Sequence, residues 1–194
     1  PAVTLAVLIR GKCSIAETPV YMIAQIAGAA AAAFTAQFLV GSGSAPATID
    51  VTKSLIAEFL FTFALAYVVL HVATAKGTSG NSFYGLAIGF IVMVGAFSVG
   101  GISGGAFNPA VAIGAPLMGL MDWNNIWIHI SADFTGGALA AIVFNLLNAE
   151  DKPCVFSEKY SVIRLSALQG WEVNNSSGGY GSATGKLSER RIAV

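Results

Sequence analysis

Few side chains in this sequence are equipped for chemistry, and they are scattered. Glu58 and Asp133 are carboxyl groups set within long apolar runs, where an ionisable group is expensive and normally faces the protein interior. Asp133 fits either a hydrogen bond to a neighbouring helix or a proton-handling role. His71 and His129 fall near the ends of predicted helices, too isolated to suggest a metal site, and Cys13 and Cys154 lack metal-site spacing. No nucleophile–base set can be assembled from these residues, so the reading is of a protein that is not an enzyme and needs no cofactor. Positioning chemistry is concentrated in one stretch, 100–111, which reads Gly-Gly-Ile-Ser-Gly-Gly-Ala-Phe-Asn-Pro-Ala-Val. Its glycines suit backbone that turns sharply and exposes carbonyls. Asn108-Pro109 reads as a helix cap followed by proline at the first helical position, where a missing N–H costs nothing. The apolar segment that follows, 110–121, is too short to cross a bilayer as a helix. Such a stretch describes a re-entrant loop, and irregular backbone at membrane depth is tolerated only inside protein or against a watery cavity. It predicts a pore.

The elements that must position this loop are helices throughout. Residues 1–9 form a first short half-helix, ended by Arg10-Gly11-Lys12. Spanning helices are predicted over 17–40, 55–75, 83–99 and 126–147, joined by a turn-rich connection at 41–50, a polar loop at 76–82 and a break at 122–125. The small residues of 28–33 let helices approach closely, and Trp123 and Trp127 suit an interfacial aromatic belt. The chain also repeats itself. Pro1-Ala2-Val3 matches Pro109-Ala110-Val111 at an offset of 108, and the same offset lays Ala24, Gln25 and Gly28 on Ala132, Asp133 and Gly136. Ala30, Ala32 and Ala33 fall on Ala138, Ala140 and Ala141 in that register. Matches in one register argue for an internal duplication, a common construction in membrane transport proteins.

Asn108-Pro109-Ala110 resembles the second Asn-Pro-Ala box of the aquaporin, or major intrinsic protein, family, and Pro1-Ala2-Val3-Thr4-Leu5 resembles the first box without its asparagine. The resemblance runs from Pro1 to about Asn148. It implies an all-α membrane protein built as an inverted repeat, with two half-helices meeting at the midplane of a pore. It also implies a homotetramer with one pore per subunit. On this reading the chain is a fragment that starts inside the first box and lacks two spanning helices. Glu58, with Thr62 one turn on, resembles the family's buried glutamate that accepts hydrogen bonds from re-entrant-loop amides. Gln25, Glu58 and Asp133 are thereby expected as buried structural groups.

Composition agrees with a membrane setting: 55% of residues are hydrophobic and only 10% charged, well below the quarter usual in soluble domains. A formal net charge of zero gives no hint of a nucleic-acid partner. Arg10, Lys12, Lys76 and the basic residues of the tail fall on one side under this topology, with Lys53 alone on the other. The positive-inside rule then puts the tail in the cytoplasm, where reduced thiols are expected of Cys13 and Cys154. Residues 1–148 are read as the channel domain and 149–194 as a disordered cytoplasmic tail, low in complexity over 174–185. The sequons headed by Asn174 and Asn175 would there go unmodified, and Lys186 to Arg191 reads as solvated.

The resemblance also assigns pore residues. Asn108 would aim its amide donors at the permeating solute, led to by the carbonyls of Gly104, Gly105 and Ala106. Opposed half-helix N-termini, each carrying roughly half a positive charge, would repel cations and break a proton wire. Spacing from Asn108 places the outer constriction at Ala96, Gly105 and Val111. The family usually has arginine where this chain has Val111, and glycerol-conducting members typically have aspartate where it has Ala112. The constriction is therefore expected to be wide and uncharged. The function read from the sequence is a channel in a lipid bilayer for water and small neutral solutes such as glycerol, urea or ammonia, excluding ions. The alternatives are an ion-coupled transporter using Asp133 and Glu58, or a structural membrane protein with a closed pore.

Overall fold

The structure, a computed structural model, describes residues 1–45 and 48–148. Six α-helices follow one another: α1 (Ala2–Ile9), α2 (Glu17–Val40), α3 (Val51–Thr74), α4 (Tyr84–Ser103), α5 (Pro109–Leu117) and α6 (Ile126–Leu147). No strand occurs among the described residues. Short 3-10 turns cover Lys76–Thr78 and Trp123–Asn125. By length and composition α2, α3, α4 and α6 are able to cross a membrane, whereas α1 and α5, at 8 and 9 residues, are half-helices. The tail, with Cys154, the sequons and the basic cluster, lies outside the described residues, as do Pro46 and Ala47.

Three boundaries differ from those expected of the sequence, each for a local reason. α3 begins at Val51 and not at Leu55, because Asp50 caps it and accepts from the Lys53 N–H at 3.0 Å. That bond, the largest influence, and the neighbouring Lys53 ammonium hold the Asp50 carboxyl below its ordinary pKa. α4 runs through Gly100 and Gly101 to Ser103 before Gly104 ends it in the left-handed conformation. α5 stops at Leu117, closed by Gly119 at φ 75° and by the Leu120 N–H bonded to the Ala115 carbonyl at 2.9 Å.

The best-buried contact is α3 against α6. Phe59 and Phe63 approach so closely that a Cβ on Gly136 would stand 2.6 Å from the Phe59 carbonyl oxygen. Further along, Ala66 and Leu70 of α3 close a core with Ala6 of α1 and Ala140, Ala141 and Phe144 of α6. Glu58 pairs with the start of α6 and Leu70 with its end, so α3 and α6 run parallel. Each half-helix packs on a long helix of the other repeat. A Cβ on Gly137 would lie 2.7 Å from the Ala2 carbonyl oxygen, and one on Gly114 would lie 3.2 Å from that of Ala29. Gly137 and Ala29 are the same position under the offset of 108. α1 runs toward the end where α6 finishes, its Ile9 carbonyl accepting from Asn145 Nδ2 at 3.2 Å. α5 runs the opposite way, toward the end of α2, where the Gly43 N–H meets the Met118 carbonyl at 2.8 Å. The two half-helices are thus antiparallel, as an inverted repeat demands.

Candidate functional site

Between α4 and α5 the backbone turns through left-handed residues, Gly104 at φ 89°, Gly105 at φ 66° and Phe107 at φ 47°. For the two glycines this is free, but for Phe107 it costs about 1–2 kcal/mol. Hydrogen bonds from α3 hold it. Glu58 Oε1 accepts from Ser103 Oγ at 2.6 Å and from the Ala106 N–H at 3.0 Å, while Oε2 accepts from the Phe107 N–H at 2.6 Å. Ser103 Oγ in turn accepts from the Gly105 N–H at 3.1 Å. One turn earlier, Ser54 Oγ donates to the Ile102 carbonyl at 3.2 Å. Ser54, Glu58 and Thr62 recur every four residues, so they stand on one face of α3, and all three are fully buried. Hydrogen bonds to an ionised acceptor are short and strong, which makes this column the anchor of the loop.

A second layer comes from α6. Thr62 Oγ1 donates to Asp133 Oδ1 at 2.8 Å. His129 Nδ1 stands 3.3 Å from Glu58 Oε1, near enough for an ion pair when protonated but outside the geometry of a hydrogen bond. Asp133 Oδ2 and both His129 ring nitrogens are buried without a hydrogen-bond partner. The loop anchor therefore joins Glu58 with Asp133, Gly105 and Ala106. Gln25 belongs to another contact and donates from Nε2 to Thr4 Oγ1 of α1 at 2.8 Å. Among the described residues no group of three or more His, Cys, Asp or Glu could hold a metal ion.

Asn108 caps α5, its Oδ1 accepting from the Ala110 N–H at 3.1 Å. No described residue accepts from its Nδ2. Pro109 and Ala110 are buried, as is Ala2 behind α6 with Pro1 preceding it. Of the constriction residues, Ala96 and Val111 are exposed and Gly105 is half-buried. Gly95, beside Ala96, faces the loop, since a Cβ there would meet the Phe107 ring at 2.6 Å. Phe61 packs on the same ring, with centroids 5.5 Å apart. Arg10, which ends the first half-helix, is buried, with its guanidinium 5.0 Å over the Phe144 ring.

Sequence profiles of known families were compared with this chain, and that of the family described as Major intrinsic protein matches residues 1–144. The chain belongs to that family. Aquaporin NIP1-3 of Oryza sativa subsp. japonica is 40% identical to this family member over 159 residues, 79% of this chain and 54% of the relative. Aquaporin NIP1-2 of Arabidopsis thaliana is 31% identical over 166 residues, and Aquaporin TIP1-1 of Arabidopsis thaliana 32% over 152. This major intrinsic protein spans about half the length of the curated relatives it matches, 54% of the first and 60% of the last. Its membership and its four long apolar helices make it an integral membrane protein. Of the residues gathered here the sequence singled out Asn108, Glu58, Thr62 and Asp133, gave no role to Ser54 or Ser103, and left His129 as an isolated histidine. Ser54, Glu58 and Thr62 at four-residue spacing in an apolar helix were a legible signal; His129 offered none, because its partner lies 71 residues away.

Proposed function

We propose that the protein containing this chain is a channel for water and small uncharged solutes, closed to ions and protons. The observation that carries the reading is the loop pinned by Glu58. It delivers an Asn108-capped half-helix antiparallel to α1, with no described residue accepting from Asn108 Nδ2. Each half-helix N-terminus is a partial positive charge, and two facing inward oppose cations and interrupt a proton wire. Gly104, Gly105 and Ala106 supply carbonyl acceptors on the way to Asn108. At the constriction Ala96, Gly105 and Val111 leave room and add no charge, so glycerol, urea and ammonia are the solutes of choice. Arg10, Lys12 and Lys76 follow helices that end beside the finish of α6, while Lys53 stands at the other end. By the positive-inside rule the first group, and the tail after α6, face the cytoplasm. A homotetramer in the bilayer is the assembly proposed. The test is stopped-flow light scattering of the complete protein in proteoliposomes, with a pH-sensitive dye inside. The expected result is water flux well above that of protein-free vesicles, with no added proton leak. Correctly inserted protein that passes no water, or flux that saturates and follows a pH gradient, overturns the proposal.

A further inference from the structure

The loop anchor uses every polar group around it except one. His129 has no surface exposed, and neither of its ring nitrogens has a hydrogen-bond partner among the described residues. A polar group left so is destabilising, and a hydrophobic ring would fill the place without that cost. Beside it lies a cavity of about 400 Å³, lined also by Ser103, Gly104, Asp122 and Asn125. Its wall is mixed, with Ile49, Ile102, Leu120 and Met121 beside Ser103, Asp122 and Asn125, and water held by the polar members would be a source of protons on the Asp122 side of the imidazole. On its other side Nδ1 looks at Glu58 Oε1, 3.3 Å away, the oxygen that already accepts from Ser103 and Ala106.

We propose that His129 is an acid sensor for the re-entrant loop: a proton taken up from the Asp122 side makes the imidazole a cationic donor that competes for Glu58 Oε1, releases one of the two groups bonded there, Ser103 Oγ or the Ala106 N–H, and lowers conduction. The effect on flux rests on the channel reading above; the effect on the loop does not. A carboxylate oxygen has about two lone-pair sites, and both on Oε1 are taken. A cationic N–H is a stronger donor than a neutral hydroxyl or amide, so the newcomer displaces one of them. The groups that bear on His129 are Glu58 from α3, Asp133 one turn on along α6, and Asp122 across the cavity. α4 brings only Ser103, α5 carries no titratable side chain, and the amino group at Pro1 before α1 acts on Asp133.

The test uses the complete protein, its His129→Gln and His129→Phe variants, and two readouts at pH 7.5 and pH 5.5. The two values bracket the range over which histidine side chains change charge. Water flux of the wild type is expected to fall severalfold on acidification, while in either variant the ratio stays near one. Hydrogen exchange at Ala106, or at Gly105 whose N–H rests on Ser103 Oγ, normalised to the intrinsic rate at each pH, is expected to lose protection at pH 5.5 in the wild type alone, while Phe107, held by Oε2, keeps its protection. Equal pH responses in wild type and variants overturn the proposal, as does a wild-type His129 resonance that does not titrate between pH 5 and pH 8. Should no water pass at any pH, the channel reading falls and the exchange data alone decide the sensor: acid-sensitive protection keeps it, flat protection ends it.

Discussion

α2 and α6 occupy equivalent places in the repeat, yet 6% of the apolar span of α2 is buried and 39% of that of α6. Their sequences do not explain the difference, since both are long, apolar and rich in small residues. Neighbours do. α6 lies along α3, close enough that Gly136 leaves no room for a side chain, whereas Gly28, its counterpart, has nothing within 4 Å of where a Cβ would be. Gln25 and Asp133 repeat the lesson in polar form. Asp133 accepts from Thr62 of α3, while Gln25 reaches only Thr4 of a half-helix and leaves its Oε1 unpartnered. A duplicated sequence thus supplies two similar helices, and burial is conferred by what packs on them. The region around α3 is also where the loop is anchored, so packing and loop geometry are set by the same helix.

The largest effect that would break this contrast is at Glu58. Glu58→Ala removes the acceptor of three donors in the covered region, each orphaned donor costing about 1–3 kcal/mol. A steep loss of melting temperature in detergent is expected, with Glu58→Gln partly spared because its amide oxygen still accepts. An alanine variant as stable as the wild type would remove the anchor from the account. Next comes the glycine pair. Gly136→Ala forces α3 and α6 apart and should destabilise by about 1–3 kcal/mol, as overpacking does. Gly28→Ala meets no neighbour among the described residues, so in the chain 1–194 it should be neutral or stabilising by up to about 1 kcal/mol through helix propensity. Melting curves of the two variants side by side check this. Equal damage in the complete protein would mean that a further segment lies on α2 as α3 lies on α6. The smallest effect is at Gln25: Gln25→Ala loses one hydrogen bond to Thr4, about 0.5–1.5 kcal/mol. Asp133→Ala, which frees Thr62 inside the core, should cost more, and the reverse order would contradict the burial argument.

Much of this was legible in the sequence. The spans 17–40 and 126–147 appear where hydropathy and breaks put them, and the Asn108 cap and half-helix follow from side-chain chemistry within a few residues. Less legible was the end of α4, where glycine propensity argues against helix at Gly100 and Gly101. Ser54 and Glu58, some 48 and 45 residues away in sequence, hold the last turn through Ile102 and Ser103, and such bonds override local preference. The burial of Arg10 was hidden for the same reason, because Phe144 is remote in the chain and close in space. His129 reads as an isolated histidine until α3 and α6 are laid together. Local chemistry shows in a sequence; cross-helix pairing shows only in part, through the four-residue rhythm of Ser54, Glu58 and Thr62.

The central claim, a pore whose outer constriction is wide because Val111 is not a cation, is tested most directly by measuring water and glycerol flux together in proteoliposomes of the wild type and Val111→Arg. A guanidinium there fills volume and adds charge, so both rates are expected to fall, and glycerol by more than water. The account predicts that wild type passes glycerol and that the glycerol-to-water ratio drops severalfold in the variant. A wild type that conducts water but rejects glycerol, urea and ammonia, or a ratio that Val111→Arg leaves unmoved, would contradict it.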